Sequence, residues 1–308
     1  MIAVELLLLV LGFAMLIKGA DWFVDGTSGV AGKFGIPQLV IGLTIVAMGT
    51  SAPEAAVSIN AALKGNAGIA VGNVVGSNIL NILIILGLTG LITSVAVQKS
   101  TLIYEIPYML IVTAVLLVMG MTGNSISFVE GVILWVMFIF YLGYLFMLAK
   151  KGKSEEQSEE KRPIWKLLVY AVIGGIIVVW GSNITVDSAT AIAEMIGLSE
   201  KFIGLTIVAL GTSLPELVTS VTAAKKGNAD IAIGNIVGSN IFNILFVLGT
   251  SALIIPLEFE ASFIIDSIIA IATGVLLWVA TFKSKKLTRP WGIIMLVCYA
   301  VYFVYLLV

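Results

Sequence analysis

Residues 42–87 read GLTIVAMGTSAPEAAVSINAALKGNAGIAVGNVVGSNILNILIILG, and residues 204–249 read GLTIVALGTSLPELVTSVTAAKKGNADIAIGNIVGSNIFNILFVLG. The two stretches align without a gap at a constant offset of 162 residues, and roughly two thirds of their positions are identical. Upstream, Gly19 and Asp25 recur at the same offset as Gly181 and Asp187. Self-similarity of this length indicates that one structural unit is used twice.

The composition indicates that most of the chain lies in lipid. Of its 308 residues, 59% are hydrophobic and only 11% are charged, and the mean hydropathy is +1.11. These values lie far outside the range of soluble domains. Apolar runs of about 20 residues, the length that crosses a hydrocarbon layer about 30 Å thick, recur along nearly the whole chain. We predict ten transmembrane helices, at residues 2–20, 37–63, 69–93, 103–121, 126–148, 165–186, 201–224, 230–254, 262–281 and 290–308.

Five predicted spans fall in each half, and this odd number determines how the two halves are related. After five crossings the second copy enters the membrane from the opposite side. The predicted fold is therefore an all-α polytopic membrane protein whose ten transmembrane helices form two inverted five-helix repeats. We place the first repeat at 1–148, a charged cytoplasmic linker at 149–164 and the second repeat at 165–308.

The basic residues indicate the orientation in the cell membrane. If the chain starts outside, the inner segments hold the cluster from Lys283 to Arg289 and the outer segments hold only Lys64 and Lys201. This is the positive-inside asymmetry, so we expect both termini to be extracellular and the linker to be cytoplasmic. The linker KKGKSEEQSEEKRP, from Lys150 to Pro163, is a solvated connector or else a regulatory segment.

Two absences in the composition exclude several function classes. The chain has no histidine, and its one cysteine, Cys298, lies in the last predicted span. Zinc sites, Ser–His–Asp catalysis and disulfides within the chain are therefore excluded. We expect no enzymatic activity, no resident cofactor and no nucleic-acid partner, and we expect one chain to function as a monomer in the lipid bilayer. Any bound ion must be held by oxygen atoms.

Two acidic residues lie deep in apolar spans. Glu54 occurs in GTSAPE and Glu216 at the matching place in GTSLPE. A carboxylate at the bilayer centre costs on the order of 2.5–3.5 kcal/mol even on insertion scales. No lysine or arginine lies at comparable depth in the central spans. The pair is either permanently protonated or compensated by a bound cation, and the cation is the better partner.

The residues around the two glutamates offer further oxygen atoms. Pro53 and Pro215 lack an N–H and should break each helix at mid-membrane, which releases nearby carbonyls. Non-helical backbone is tolerated at this depth where it lines a polar cavity or is buried in protein. Four hydroxyls at the breaks are ligands, caps of the following half-helices, or both. These hydroxyls belong to Thr50, Ser51, Thr212 and Ser213, while Ala47 and Ala209, one turn earlier, offer only their carbonyls.

The second element of each repeat, GNVVGSNILN or GNIVGSNIFN, adds hydroxyls and amides. A spacing of four residues places Ser77 and Asn81 on one helix face, and Ser239 and Asn243 likewise, and this face should meet the broken helices. The intervening asparagines are either ligands or structural bridges. Small residues four apart allow close helix approach. The asparagines in question are Asn78 and Asn240, and the glycines are Gly72, Gly76, Gly234 and Gly238.

The number and type of the possible ligand oxygens indicate the class of ion. Two carboxylates with amides, hydroxyls and carbonyls can supply the six to eight oxygens that Ca²⁺ takes, and the lack of sulfur and imidazole disfavours soft metals. Two glutamates balance the charge of one Ca²⁺ or two Na⁺. Asp25 and Asp187, near the ends of their predicted spans, are interfacial carboxylates or helix caps, or else they line an access pathway.

The paired motifs GTSAPE with GNVVGSNILN, and GTSLPE with GNIVGSNIFN, resemble the two alpha-repeats of the sodium/calcium exchanger family. The resemblance covers essentially the whole chain. It implies an antiporter that alternates access around a site formed by the second, third, seventh and eighth helices, past which the first and sixth slide. It also implies Ca²⁺ ligands at Glu54 and Glu216, with carbonyls near Thr50 and Thr212. Na⁺ would be shared among Ala47, Thr50, Ser51, Glu54 and Ser77 and their counterparts Ala209, Thr212, Ser213, Glu216 and Ser239.

One position departs from the family pattern. Well-known sodium-coupled members carry an aspartate where this chain has Asn243, opposite Asn81. Proton or potassium coupling is therefore an alternative to Na⁺ coupling. A passive cation channel, in which the carboxylates select ions without exchange, is a further alternative. The short linker also lacks the regulatory calcium-binding domains that animal relatives insert there.

Overall fold

The computed structural model describes residues 2–151, 162–195 and 209–307, and this part of the chain is almost entirely helical. Four two-residue strands, β1 Val95–Ala96, β2 Ser125–Ile126, β3 Leu257–Glu258 and β4 Lys286–Leu287, lie between helices. The helices are α1 Ile2–Phe34, α2 Gln38–Thr50, α3 Ala52–Leu63, α4 Ala67–Ile92, α5 Thr101–Gly123, α6 Phe128–Lys151, α7 Ile164–Met195, α8 Ala209–Thr212, α9 Leu214–Lys225, α10 Ala229–Ile254, α11 Ala261–Phe282 and α12 Arg289–Leu307.

Within the described ranges, eight helices are each long and apolar enough to cross a membrane, and the bent pair of α2 and α3 makes a ninth span. The remaining predicted span, 201–224, begins on residues 201–208, which lie outside the described residues, and continues as α8 and α9. The predicted linker 149–164 falls mostly on residues 152–161, which also lie outside them.

The first helix is longer than its predicted span. It continues to Phe34 and ends where Gly35 adopts a φ of 62°, two residues before Pro37. Its 33 residues extend about 50 Å at 1.5 Å per residue, which exceeds the hydrocarbon layer of about 30 Å. Asp25 and Asp187 lie in the last third of the long helices α1 and α7.

The helices that carry the repeated motifs are irregular at matching positions. α2 and α3 meet at Ser51 with a bend of 51°. α4 has a π-helical segment from Asn81 to Leu86, and α10 has one from Asn243 to Leu248. Such segments occur frequently at functional sites. In both repeats the π segment begins at the asparagine that the sequence offers as a ligand.

The four short strands establish that the repeats are inverted. β1 pairs antiparallel with β4, and β2 pairs antiparallel with β3. β1 and β2 lie at opposite ends of the membrane-spanning helix α5, and β3 occupies the place in the second repeat that β1 occupies in the first. Because β3 pairs with β2, it lies on the membrane side opposite to β1. Equivalent points of the two repeats are thus on opposite sides.

Close helix contacts hold the two halves together. Along α1, glycines at every seventh position from Gly12 to Gly26 lie against the backbone of α7, and a Cβ atom added at Gly19 would lie 2.9 Å from the Val178 nitrogen. On α10, Gly234 and Gly238 approach α2 closely enough that a Cβ atom at Gly238 would lie 2.8 Å from the Leu43 Cα. The predicted packing role of these two glycines is confirmed.

The contacts expected for their counterparts Gly72 and Gly76 would fall on 201–208, outside the described residues.

Candidate ion-binding site

The two acidic residues lie at the start of half-helices near the centre of the molecule. Glu54 is in the first turn of α3 and Glu216 in the first turn of α9, and their relative exposures are 1% and 0%. A proline precedes each glutamate, as expected at a helix start. The partial positive charge of a helix N-terminus favours a carboxylate there. Two buried anionic positions are thus supported by the helices that carry them.

Each glutamate is bonded to the other repeat by a serine. Ser51 donates its hydroxyl to Oε1 of Glu216 at 2.7 Å, and Ser213 donates to Oε1 of Glu54 at 3.1 Å. Both serines occupy the N-cap position of the following helix, yet neither hydroxyl bonds to that helix. The capping alternative therefore does not apply to them. The serines instead bring the two breaks and both carboxyl groups into one cluster.

Four buried acceptor oxygens at this cluster have no hydrogen-bond partner. They are the second carboxylate oxygens, Oε2 of Glu54 and of Glu216, and the side-chain oxygens Oδ1 of Asn81 and of Asn243. Among the described residues, no lysine or arginine forms an ion pair with either glutamate. Buried polar atoms are normally paired, and leaving them unpaired is costly. With the carboxyl groups ionised, these four oxygens can only accept, and such a set is complementary to a cation.

A lattice of asparagine amides determines which way Asn81 and Asn243 point. Asn78 and Asn240 each donate Nδ2 to the other's backbone oxygen at 3.1 Å. Asn81 donates to Oδ1 of Asn240 at 2.9 Å, and Asn243 donates to Oδ1 of Asn78 at 3.1 Å. Asn78 and Asn240 are therefore structural bridges, which resolves that alternative. With their nitrogens engaged, Asn81 and Asn243 leave their oxygens unpaired.

The other predicted ligands of the first break lie in the same cluster. The Thr50 hydroxyl is 3.0 Å from both the Val46 carbonyl and Oδ1 of Asn235, so its single proton can go to either. Ser239 lies 3.4 Å from the Ala47 carbonyl, to which it donates. The predicted meeting of α10 with the broken helix α2 is thus observed.

The second break differs from the first in how its carbonyls are satisfied. Pro215 removes the helix donor of the Gly211 carbonyl, and Ser182 of α7 donates to that carbonyl at 2.7 Å. The Gly211 carbonyl is therefore not available as a bare ligand. The Thr212 hydroxyl oxygen is buried without a partner.

For two further predicted ligands, Ser77 and Ala209, the structure shows only their place in the helices. Ser77 is buried on α4, and Ala209 begins α8.

Asn73 and Asn235 support the site and were not predicted from the sequence. Each donates Nδ2 at 2.9 Å to a serine, Ser58 or Ser220, that lies one turn after the glutamate. Each also reaches the glutamate's backbone oxygen, at 3.2 Å for Glu54 and 3.5 Å for Glu216. Both asparagines recur at the repeat offset, which was a usable signal, but their partners become visible only in three dimensions.

The cluster is approached by a cavity from one side. A cavity of about 420 Å³ between α3, α7 and α8 ends at Pro53 and Thr212, and Asp187 lies in its wall. A second cavity of about 430 Å³ shares Ala56 with it and reaches Lys64. Asp187 thus lies in the wall of this cavity, where the access-pathway alternative would place it.

The opposite side is closed by apolar packing. Leu214 and Val218 of α9 pack against Leu16 and Ala20 of α1. Their counterparts in the first repeat, Ala52 and Ala56, are exposed and line the 420 Å³ cavity. The two repeats therefore adopt different arrangements, and among the described residues the open approach is on the side of α3 and α7.

No group of three or more His, Cys, Asp or Glu side chains able to hold a metal occurs in the part of the chain that the structure describes. A cation at the cluster would be held by two carboxylates together with neutral oxygens. That donor set suits hard cations such as Ca²⁺ and Na⁺, which take carboxylate, amide, hydroxyl and carbonyl oxygens.

The sequence of this chain is similar to a known family of membrane proteins. A family model described as sodium/calcium exchanger protein matches residues 4–147 and 166–308. The chain is 39% identical over 295 residues to the putative antiporter CaxA of Alkalimonas amylolytica, covering 93% of this chain and 92% of that protein. It is 33% identical to the sodium/calcium exchanger MaX1 of Methanosarcina acetivorans over an alignment of 348 positions, which covers 99% of each chain.

A solved structure of the sodium-calcium exchanger NCX_Mj superposes with a TM-score of 0.87 at 34% identity, covering 99% of this chain and 100% of that one. The predicted all-α membrane fold of two inverted five-helix repeats is confirmed.

Proposed function

Because the chain belongs to the sodium/calcium exchanger family, which is a family of cation/calcium antiporters and not of enzymes, we propose that it exchanges Ca²⁺ for Na⁺ across the membrane by alternating access. One observation carries the proposal. Glu54 and Glu216 are fully buried, are bonded across the repeats by serines, and each keeps one carboxylate oxygen without a partner. A transported cation would supply the missing charge and ligation.

The proposed Ca²⁺ ligands are the unpaired oxygens at the centre of the cluster. Glu54 and Glu216 contribute carboxylate oxygens and Asn81 and Asn243 contribute amide oxygens. Backbone carbonyls near Thr50 and Thr212 would bring the number of ligands toward the six to eight that Ca²⁺ takes. Na⁺ would use overlapping positions, namely Ala47, Thr50, Ser51, Glu54 and Ser77 with Ala209, Thr212, Ser213, Glu216 and Ser239.

Charge compensation explains why exchange is coupled. Two carboxylates are balanced by one Ca²⁺ or by two Na⁺, so either occupied state is close to neutral. An empty site leaves two like charges in a medium of low dielectric constant, which is costly. A switch of access is therefore favoured when the site is loaded. The closed packing of Leu214 and Val218 on α1 also favours exchange over a passive channel, which needs a continuous path.

Potassium or proton coupling remains the second candidate. The observation that favours it is the neutrality of Asn81 and Asn243, which leaves the site with two carboxylates. Glu54 and Glu216 could then bind protons in turn, or K⁺ could join the exchange. Transport assays with imposed ion gradients distinguish these possibilities directly.

The decisive measurement is uptake of radioactive calcium into proteoliposomes under imposed Na⁺, K⁺ or H⁺ gradients. We expect a Na⁺ gradient to drive uptake. Glu54→Gln and Glu216→Gln should each abolish it, because an amide cannot balance the cation's charge. Glu258→Gln, at an exposed residue of β3, is the matched control and should leave uptake unchanged. Full uptake by either site variant would contradict the proposal.

We further propose that both termini are extracellular, that the linker is cytoplasmic and that the monomer is the functional unit. The distribution of basic residues supports the orientation. Both halves of the site come from one chain, which supports the monomer. Reporter fusions at each terminus and in the linker test the orientation, and single-particle counting in nanodiscs tests the monomer.

A further inference from the structure

An ion pair joins the two helices that close one side of the site. Lys226, the residue after α9, places Nζ 2.8 Å from Oδ1 of Asp25 and 3.2 Å from Oδ1 of Asp21, both on α1. The same Nζ donates to the backbone oxygen of Asp21 at 3.0 Å. The three side chains are partly exposed, so they lie at the mouth of the closed path. Below them Leu214 and Val218 pack against α1.

The inverted repeat supplies counterparts for the same group. At the offset of 162 residues, Lys226 corresponds to Lys64, Asp25 to Asp187 and Asp21 to Asn183. Lys64 and Asp187 are exposed, and within the described ranges neither forms an ion pair or a side-chain hydrogen bond. Both line the cavities on the open side. The pair is therefore formed where the path is closed and separated where it is open.

We propose that Lys226 with Asp21 and Asp25 is an ion-pair gate that holds one access path closed, and that Lys64 binds Asp187 when the opposite path closes. The inference rests on the proposed alternating access. When two inverted repeats exchange conformations, α7 approaches α3 as α1 approaches α9 here, and Lys64 then meets Asp187. The four charged residues are positioning residues, because they act on helix positions and do not touch the transported ion.

The two gates differ in strength. Lys226 contacts two carboxylates, whereas in the opposite state Lys64 would meet only Asp187 and the neutral Asn183. The state with the Lys226 gate closed therefore gains more charge compensation and should be the more populated one without a gradient. Partly exposed ion pairs shift an equilibrium by roughly two- to fivefold, so removal of a gate should change the populations by this factor.

Thiol labelling tests the proposal independently of transport. With Cys298 replaced by alanine, single cysteines at Ala56 and at Val218 report the open and the closed path in the protein in nanodiscs. Lys226→Ala or Asp25→Asn should raise the labelling rate at position 218 and lower it at position 56, by roughly two- to fivefold. Lys64→Ala should shift both rates in the opposite direction, and Lys226→Arg should restore the original rates.

Labelling rates that change in opposite directions at positions 56 and 218 distinguish a gate from a general loosening of the fold. Unchanged rates in Asp25→Asn and Lys226→Ala, or rates that rise at both positions in every variant, would overturn the gate. Calcium uptake is measured in the same preparations. Normal uptake together with unchanged labelling rates would contradict the gate and leave the proposed function intact. The expected changes in labelling without any cation-coupled uptake would contradict the proposed function and leave the gate supported.

Discussion

Glu54 and Glu216 each divide their two carboxylate oxygens between two tasks. One oxygen accepts a hydroxyl from the opposite repeat, and the other is left without a protein partner. A hydrogen bond to a charged group contributes about 1.5–3 kcal/mol of stabilisation. The bonds from Ser51 and Ser213 therefore favour the ionised carboxylates and fix their orientation. The unpaired oxygen is then the ligand. Neither serine was assigned to the opposite glutamate from the sequence.

The amide oxygens of Asn81 and Asn243 can be tested by truncation. Asn81→Ala or Asn243→Ala removes one proposed ligand and also one amide of the asparagine lattice. We expect the apparent affinity for Ca²⁺ to fall roughly tenfold, which corresponds to about 1.4 kcal/mol and to one lost ion–dipole contact. Concentration-dependent calcium uptake measures it.

The matched control for these variants is Asn228→Ala, because Asn228 precedes α10 and its side chain makes no capping bond. It should leave the apparent affinity unchanged. If Asn81→Ala and Asn243→Ala bind calcium as tightly as the original protein, the amide oxygens are not ligands.

At the level of helices, the breaks and π segments position the ligands. α3 and α9 start at the centre of the fold and not at its surface, so that a helix N-terminus faces each carboxylate. The π segments of α4 and α10 begin at Asn81 and Asn243. Where α2 meets α10, their close contact excludes lipid from the irregular backbone.

The close contact between α10 and α2 gives a stability prediction. A Cβ atom at Gly238 would lie 2.8 Å from the Leu43 Cα and 2.9 Å from the Ala47 Cβ, so Gly238→Ala forces the helices apart and displaces the site. We expect the thermal unfolding temperature and the calcium uptake both to fall.

Gly143→Ala is the control for this prediction, because Gly143 lies exposed in α6 and a Cβ atom there meets nothing within 4 Å. It should be neutral or slightly stabilising, since alanine favours helix over glycine by about 1 kcal/mol. Equal behaviour of the two variants in thermal unfolding would show that the α2–α10 contact does not limit stability.

The whole molecule is an interlocked pair of repeats in one asymmetric arrangement. α1 lies along α7, β1 pairs with β4 and β2 with β3, and hydrogen bonds from Ser51 and Ser213 join the two glutamates across the halves. The halves share one motif, yet α1 closes on α9 while a cavity separates α3 from α7. Two equivalent units in unequal arrangements can exchange roles, which is the physical basis of alternation.

Because contacts between the halves are so extensive, the covalent link between them should be dispensable once the protein has folded. A protease site introduced within residues 152–161 and cleaved in proteoliposomes should leave calcium uptake within about twofold of the uncut protein, since an interface of this kind is held by close helix packing. Co-migration of the two fragments in mild detergent provides the second readout. Separation of the fragments, or loss of uptake on cleavage, would contradict the proposed two-repeat organisation.

Much of the fold and part of the site could be predicted from the sequence. Apolar runs determine where helices cross the membrane, and the offset of 162 residues with five spans per half requires inversion. Glu54 and Glu216 stand out because a carboxylate in lipid needs compensation. The end of α1 was missed because a helix continues past the hydrocarbon layer until a residue such as Gly35 stops it.

What local pattern could not supply was the partner of each polar group, since such partners lie far apart along the chain. Ser51 could cap its own helix or reach Glu216, and Asn78 could bind an ion or bridge to Asn240, with the same residues and spacing in either case. Those choices depend on which helices meet in space. The same holds for access, because two nearly identical motifs gave one closed path at Lys226 and one open path at Lys64. Repetition in the chain imposes a shared architecture, whereas the conformation of each half is set by its packing against the other.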